Sequence, residues 1–350
     1  MARWFRRASL LLVLALVACG GGPTPPPAPA SPATPAASAA TPTTLPGGTP
    51  TPATPATLAA SPAARGSFPA PIAHVFVVMM ENTDWSAVKG NPDMPYVNRA
   101  LLPAFAHAEN YRVADHPSLP NYITLEAGAN LGLTNGDDLP EKHHLATTAH
   151  LTTELDRAGI SWAYYAENLP GDGKTCNLTD PGTPYSEDHN PFVYFTDVSG
   201  DPPSATNAYC TRHERPYTDF APALAGGTVA QYSFIVPNDY HQGEKQAPGS
   251  SCALCQADTW LSQQIPLIQA SAAFQDGGAI LILWDEGDAC CHHPSGLIVV
   301  SPYAKQGYGN TIAYSHTSTL RTVQEIFGVT PLLRGAATAT DLRDLFRPAP

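Results

Sequence analysis

Charge is scarce in this chain of 350 residues. Asp, Glu, Lys and Arg make up 14% of it, and 18 basic residues stand against 30 acids, for a formal charge of −12. Past the first seven residues no run of Lys and Arg occurs. Nucleic acid and anionic lipid surfaces are bound through concentrated positive charge, so neither is expected as a partner. An anionic substrate would need a cation brought in locally, which argues indirectly for bound metal.

Long apolar runs are missing as well. The longest at the N-terminus, Leu10 to Leu16, is too short to span a bilayer. Preceded by Arg3, Arg6 and Arg7 and followed by Leu16-Val17-Ala18-Cys19, it reads as a secretory signal over residues 1–19. The Leu-x-Ala-Cys ending resembles the bacterial lipobox, which would lipidate Cys19; an ordinary cleaved signal with an incidental cysteine is the alternative. The leader holds three arginines and no acid, so its removal takes the formal charge from −12 to −15. Residues 20–66 have almost no charge and no large apolar residue except Leu45 and Leu58. Such a Pro/Ala/Thr-rich segment cannot bury a core and is expected to be an extended tether. Residues 67–350 suffice for one large domain. The protein is thus expected outside the cytoplasm, touching a membrane only through its lipidated N-terminus.

Beyond Cys19 there are six cysteines: Cys176, Cys210, Cys252, Cys255, Cys290 and Cys291. An even number in an exported chain points to disulfides. Cys252-x-x-Cys255 with Cys290-Cys291 has the spacing of a zinc knot as the alternative, and the connectivity is open.

Within the domain, apolar β-branched runs alternate with helical patterns. Strands are expected at Ile72 to Met80, Ile160 to Ala166, Gln231 to Val236, Ala279 to Trp284 and Gly296 to Val300. Helices are expected at Tyr96 to Ala108, after Ser118, at His150 to Ala158, Tyr217 to Leu224, Ala257 to Phe274 and Thr317 to Phe327, with a loop-rich excursion from Leu169 to about Arg215. Alternation of this kind predicts an α/β fold with a mostly parallel central sheet covered on both faces. Ligands bind such sheets beyond the carboxyl ends of the strands. There the chain places Glu81-Asn82, Asn238-Asp239 and Asp285-Glu286.

These pairs frame one stretch, His116-Pro117-Ser118-Leu119-Pro120-Asn121-Tyr122. Two prolines stiffen the turn, and the helix-compatible pattern behind puts Ser118 at a helix N-terminus, where unpaired N–H groups favour an anion. The same turn would equally serve a plain N-cap serine. The neighbouring acids tip the balance. Oxygen donors from two loops, Glu81 with Asn82 and Asp285 with Glu286, suit a divalent metal, and without a cation such acids would resist ionising together. A metal near Ser118 would lower the hydroxyl's pKa and neutralise phosphate charge. His241 and His316, at element ends, have the chemistry to contact phosphate or protonate a leaving oxygen.

The motifs Val-Met-Met-Glu81-Asn82, His116-Pro-Ser118-Leu-Pro-Asn-Tyr, His189-Asn-Pro-Phe, Pro237-Asn-Asp239-Tyr-His241, Trp284-Asp285-Glu286-Gly-Asp288 and Tyr314-Ser-His316 occur in that order. Together they resemble the bacterial phosphoesterase family of secreted acid phosphatases and phospholipases C, within the alkaline phosphatase superfamily. The resemblance spans residues 72 to 328. It implies an alkaline-phosphatase-like three-layer α/β/α sandwich with Ser118 as a nucleophile that is transiently phosphorylated. Glu81, Asn82, Asp285 and Glu286 would hold metal, Asp239 joins them as a candidate, and His189, His241 and His316 would act on phosphate or the leaving group. The donors leave Ca, Mn, Fe and Zn open. One departure is Gln242, where related sequences often have Asp after the histidine matched by His241. The serine and the ending at Pro350 favour a phosphomonoesterase of small phosphate esters. A phosphodiesterase or phospholipase C on phospholipid, and a non-catalytic metal-stabilised surface lipoprotein, are the alternatives.

Overall fold

A computed structural model describes residues 68–113, 115–136, 139–182, 184–288 and 292–348. The expected leader with Cys19, the expected tether, and the pair Cys290 and Cys291 lie outside the described residues. All of the described residues belong to one compact unit.

Eight strands form one sheet. In chain order they are β1 (His74–Met80), β2 (Ala106–Ala108), β3 (Trp162–Ala166), β4 (Glu214–Pro216), β5 (Tyr232–Val236), β6 (Gly278–Trp284), β7 (Leu297–Val300) and β8 (Gly309–Asn310). Their spatial order is β4-β3-β5-β1-β6-β7-β2-β8. β1 pairs in parallel with β5 and β6, and β3 with β4 and β5. β7 runs antiparallel to both β6 and β2, and β2 pairs in parallel with β8.

The two faces of β1 explain why its sequence is apolar throughout. Val75, Val77 and Met79 join one buried cluster with Leu119, Tyr122 and Leu320. Phe76, Val78 and Met80 join the other, with Trp260, Leu261 and Phe220. A strand buried on both faces shows no polar alternation, and each such side chain contributes roughly 1.5–3 kcal/mol of transfer free energy. The first face is covered by helices Ser118–Ala127 and His316–Phe327, the second by Phe220–Gly226 and Ala253–Gln269. This is the three-layer α/β/α arrangement.

Three expected elements differ. The Tyr96–Ala108 region is a π-helical turn, Val97–Leu101, then a short helix, Leu102–Ala104, after which the chain turns extended as β2. Pro103 sits in the first turn of that helix, and Phe105 after it is extended. The long helix begins at Ala253, four residues earlier than the pattern suggests, and ends at Gln269; Ala272–Gln275 is separate, capped by Ser271. The excursion from Leu169 to Arg215 carries a disulfide between Cys176 and Cys210 and the edge strand β4. A second disulfide joins Cys252 to Cys255, so these two thiols are not free to hold zinc.

Candidate active site

Parallel strands point their carboxyl ends the same way, and register fixes what meets there. Met80 of β1 is paired with Trp284 of β6, so the next residues, Glu81 and Asp285, leave the sheet side by side. Asp285 N donates to Met80 O (3.0 Å), Asn82 N donates to Asp285 Oδ1 (3.0 Å), and Thr83 N donates to Glu286 O (3.2 Å). Asn82 holds this crossing with φ of 37°, a left-handed conformation that Asn adopts more readily than most side chains.

Ser118 is the first residue of its helix, with Pro117 as N-cap and Gly128, at φ of 77°, as C-cap. Its Oγ–H donates to Glu81 Oε2 at 3.0 Å. Tyr122, one turn on, donates its hydroxyl to Glu81 Oε1. His189 Nε2 lies 3.5 Å from the same Oε1, and its ring stacks on Tyr122. Glu81 is therefore contacted by the serine, the tyrosine and the histidine, and all four are buried. On the other side His116 Nδ1 lies 2.7 Å from Glu286 Oε1.

The acids are crowded together: burial, then the charge of Asp285, raises Glu81 well above the usual carboxylate range. Burial also raises Asp285, against the help of Asn82 N–H and Ser118. Burial followed by Asp285 pushes Glu286 up to about 8. Asp285 Oδ2, Glu286 Oε2 and Asn82 Oδ1 are buried without a hydrogen-bond partner. Orphaned acceptors of this kind cost about 1–3 kcal/mol each. They are all oxygens, they sit at the ends of two adjacent strands, and they fit a hard divalent cation that would satisfy them and relieve the repulsion. The carboxylates are not drawn into a tight knot, however. Among the described residues, the groups of three His, Cys, Asp or Glu with donor atoms within 4.8 Å of one another are Asp93–Cys252–Cys255 and Cys176–Cys210–Glu214, both containing disulfide cysteines.

The remaining expected residues are placed differently. His316 is buried, with Nε2 2.6 Å from Asp285 O and Nδ1 3.0 Å from the Tyr111 hydroxyl. Burial lowers its pKa to about 4, so the ring is neutral; Nε2–H donates to the carbonyl, and Nδ1 accepts from Tyr111. His241 turns to Glu167, with Nδ1 2.7 Å from Oε2, and Glu167 is also held by Asn238 N and Trp260 Nε1. Asp239 accepts from Ser186 Oγ (3.0 Å) and Lys245 Nζ (2.9 Å), bracing the segment that carries Asp188 and His189. Gln242 is fully buried with neither amide atom partnered, while its carbonyl accepts from Glu81 N (3.0 Å). Tyr122, His116, Glu167 and Asp188 were given no role by sequence pattern. Tyr122 lies in the Ser118 motif at helical spacing, which was the available signal.

Comparison with known proteins bears on the family and the fold. The Phosphoesterase family model matches residues 91–330, so Glu81 and Asn82 lie just ahead of the matched segment. The chain is 28% identical over 284 residues to the phosphatidylinositol-3-phosphatase of Mycobacterium tuberculosis, covering 78% of this chain and 83% of that protein. It is 24% identical over 223 residues to a Kluyveromyces lactis protein named "Probable acid phosphatase", covering 63% of this chain and 48%, about half, of that one. Among solved structures, the phosphonate monoester hydrolase of Silicibacter pomeroyi superposes with a TM-score of 0.51 at 12% identity, over 80% of this chain and 77% of the other. An alkaline phosphatase superfamily protein of Vibrio parahaemolyticus gives 0.50 at 9% identity, over 78% and 72%. At such identities the superpositions bear on the fold alone, which is that of the alkaline phosphatase superfamily. With its family match over most of the domain, the chain belongs to the Phosphoesterase family and is a hydrolase acting on phosphoric ester bonds.

Proposed function

We propose that this hydrolase is a metal-dependent phosphomonoesterase working through a phosphoserine at Ser118. The observation that carries the reading is the buried hydroxyl at a helix N-terminus, 3.0 Å from Glu81 and beside two further buried acids with orphaned oxygens. Glu81, Asn82, Asp285 and Glu286 would hold the ion, with Ca, Mn, Fe and Zn as the candidates. When bound, it would neutralise phosphate charge and favour the serine alkoxide.

The chain's own groups divide the rest of the work. Ser118 Oγ attacks phosphorus in line, forming the Oγ–P bond as the bond from phosphorus to the ester oxygen breaks. The serine proton leaves along its hydrogen bond to Glu81, and the departing alkoxide takes up a proton to become the alcohol. Water then cleaves the Oγ–P bond, returning Ser118 and inorganic phosphate. The N–H groups at the start of the Ser118 helix would be available to the phosphoryl oxygens. His189, stacked on Tyr122 against Glu81, is the histidine we assign to phosphate contact. We assign His316 to holding the Asp285 backbone, since both its ring nitrogens are occupied. Asp239 is assigned to bracing the His189 segment, and His241, whose ring is paired with Glu167, to the leaving-group side.

The names of two relatives, a phosphatidylinositol-3-phosphatase and a probable acid phosphatase, support the monoester reading over the diester one. An exported location accords with the leader and the two disulfides. The test is phosphate release by purified protein from monoesters, diesters and phospholipids, with and without chelator. Inorganic phosphate from monoesters, abolished by chelation, is expected; diacylglycerol from phospholipid would move the assignment to a phospholipase C.

A further inference from the structure

His189 ends one short helical turn, Glu187–His189, and a second, Pro191–Tyr194, begins two residues on; Asn190 is the joint between them. Its N–H donates back to Glu187 O (2.9 Å), and its Oδ1 accepts from Phe192 N (3.3 Å). Its Nδ2 donates to Glu214 Oε1 at 2.7 Å.

Glu214 is the first residue of the edge strand β4, aligned with Tyr164 of β3, and its side chain is buried. Its second oxygen accepts from Asn177 N (2.9 Å) and Asn177 Nδ2 (3.2 Å). Cys176, just ahead of Asn177, is disulfide-bonded to Cys210, which precedes Glu214 by one helical turn. The acid thus stands between a cross-linked loop and the joint next to His189.

Three N–H donors converge on this side chain, and a carboxylate accepts them at both of its oxygens. A carboxamide of the same shape would keep its oxygen for Asn177 or for Asn190 and turn an NH2 group on the other. The His189 ring is located by weaker contacts: Nε2 lies 3.5 Å from Glu81 Oε1 and 3.8 Å from Asp188 Oδ1, and the ring stacks on Tyr122 with centroids 5.2 Å apart. Its place over the site therefore depends on the backbone joint that Glu214 holds.

We propose that Glu214 is a positioning residue for phosphoryl transfer: through Asn190 it sets where His189 stands against Glu81 and the Ser118 hydroxyl, without itself touching substrate. The proposal rests on the assignment of His189 to phosphate contact.

The experiment measures kcat and KM for p-nitrophenyl phosphate, and Ki for inorganic phosphate, on the full chain loaded with its metal, with a melting curve for each variant. Glu214→Gln and Asn190→Ser attack the same hydrogen bond from its two ends, and serine keeps an oxygen able to cap Phe192. Each should lower kcat/KM about tenfold and weaken phosphate inhibition by a similar factor. The exchange Glu214→Gln/Asn190→Asp rebuilds the bond with donor and acceptor reversed and the charge conserved. It should bring both quantities back to within about threefold of wild type. In a His189→Gln background, Glu214→Gln should add about twofold or less, because changes acting through one group are not additive. Losses in folded variants that the exchange leaves unrepaired, or that add in full to those of His189→Gln, make Glu214 a structural tie and overturn the proposal alone. If Glu214→Gln does not fold, Asn190→Ser and the exchange decide the question by the same criteria. Wild-type kinetics in His189→Gln overturn the phosphate-contact assignment and this proposal with it, and a wild type that releases no phosphate brings down the phosphomonoesterase reading beneath both.

Discussion

At the scale of single residues, Glu81 is where the site is most exposed to test. Its two carboxylate oxygens receive Ser118 and Tyr122 from the same helix, one turn apart. Tyr122→Phe deletes one donor and keeps the ring that packs on His189. A hydrogen bond to a charged group is worth roughly 1.5–3 kcal/mol, so kcat/KM should fall about tenfold or somewhat more, with thermal stability little changed. Steady-state kinetics and a melting curve decide it; an unchanged kcat/KM would remove Tyr122 from the site. Asp285 and Glu286 bear on the cation. Adding a chelator, or making Asp285→Asn, should abolish turnover, and readdition of metal should restore the wild type only. Full activity in protein shown by elemental analysis to be metal-free would take the ion out of the mechanism. Ser118 and the strand-end acids were legible in sequence because an apolar run that stops at an acid marks a strand's carboxyl end. The partners were not: His116 meets Glu286 across 170 residues of chain, and only the fold brings them together.

Between elements, a buried histidine ties the Ser118 helix to its surroundings. His150, which precedes helix Leu151–Arg157, lies 2.9 Å from Glu126 Oε1 and 3.0 Å from Asp197 Oδ1, and stacks on Phe195 at 3.9 Å. Burial opposes its charge, but hydrogen bonds to Asp197 and Glu126 outweigh it and raise the pKa to about 9. A histidine raised above its unfolded value of about 6.5 binds more protons folded than unfolded between those limits. Its stabilisation is complete below about pH 6.5 and is lost as pH rises through 9. Conversion of the shift gives a loss of about 3 kcal/mol. Denaturant melts from pH 6 to 10 should show it in wild type, and His150→Gln should flatten that limb while lowering stability at pH 6. A variant with the wild-type slope would assign the pH dependence elsewhere. The central strands could be read from their apolar runs. β2, β4 and β8 could not, since two or three residues carry no period and their pairing is set by neighbours far along the chain. Pro103 also hid the break before β2, because a proline in a first helical turn is compatible with continuing the helix.

Over the whole molecule, the disulfides and the expected leader bear on where the protein works. Cys176–Cys210 closes a 34-residue separation and Cys252–Cys255 only 3. Loop-closure entropy assigns about 4 kcal/mol to the first and about 2 to the second. Cys176→Ser/Cys210→Ser should therefore lower the denaturation midpoint more than Cys252→Ser/Cys255→Ser; the reverse order would mean that the short loop has a role beyond closure. Composition announced oxidised cysteines, but pairing had to come from the fold. For the proposed anchor, Cys19→Ser should convert a membrane-fractionating protein into an unprocessed or released one; wild type that is already released and carries no lipid by mass spectrometry contradicts it. The central claim is covalent catalysis at Ser118. Its most direct measurement is rapid acid quench of the metal-loaded enzyme with a substrate labelled in its phosphate, followed by peptide mapping. Label on the peptide containing Ser118, absent in Ser118→Ala along with several orders of magnitude of kcat, is expected. Label on a histidine, or near wild-type turnover by Ser118→Ala, would contradict it.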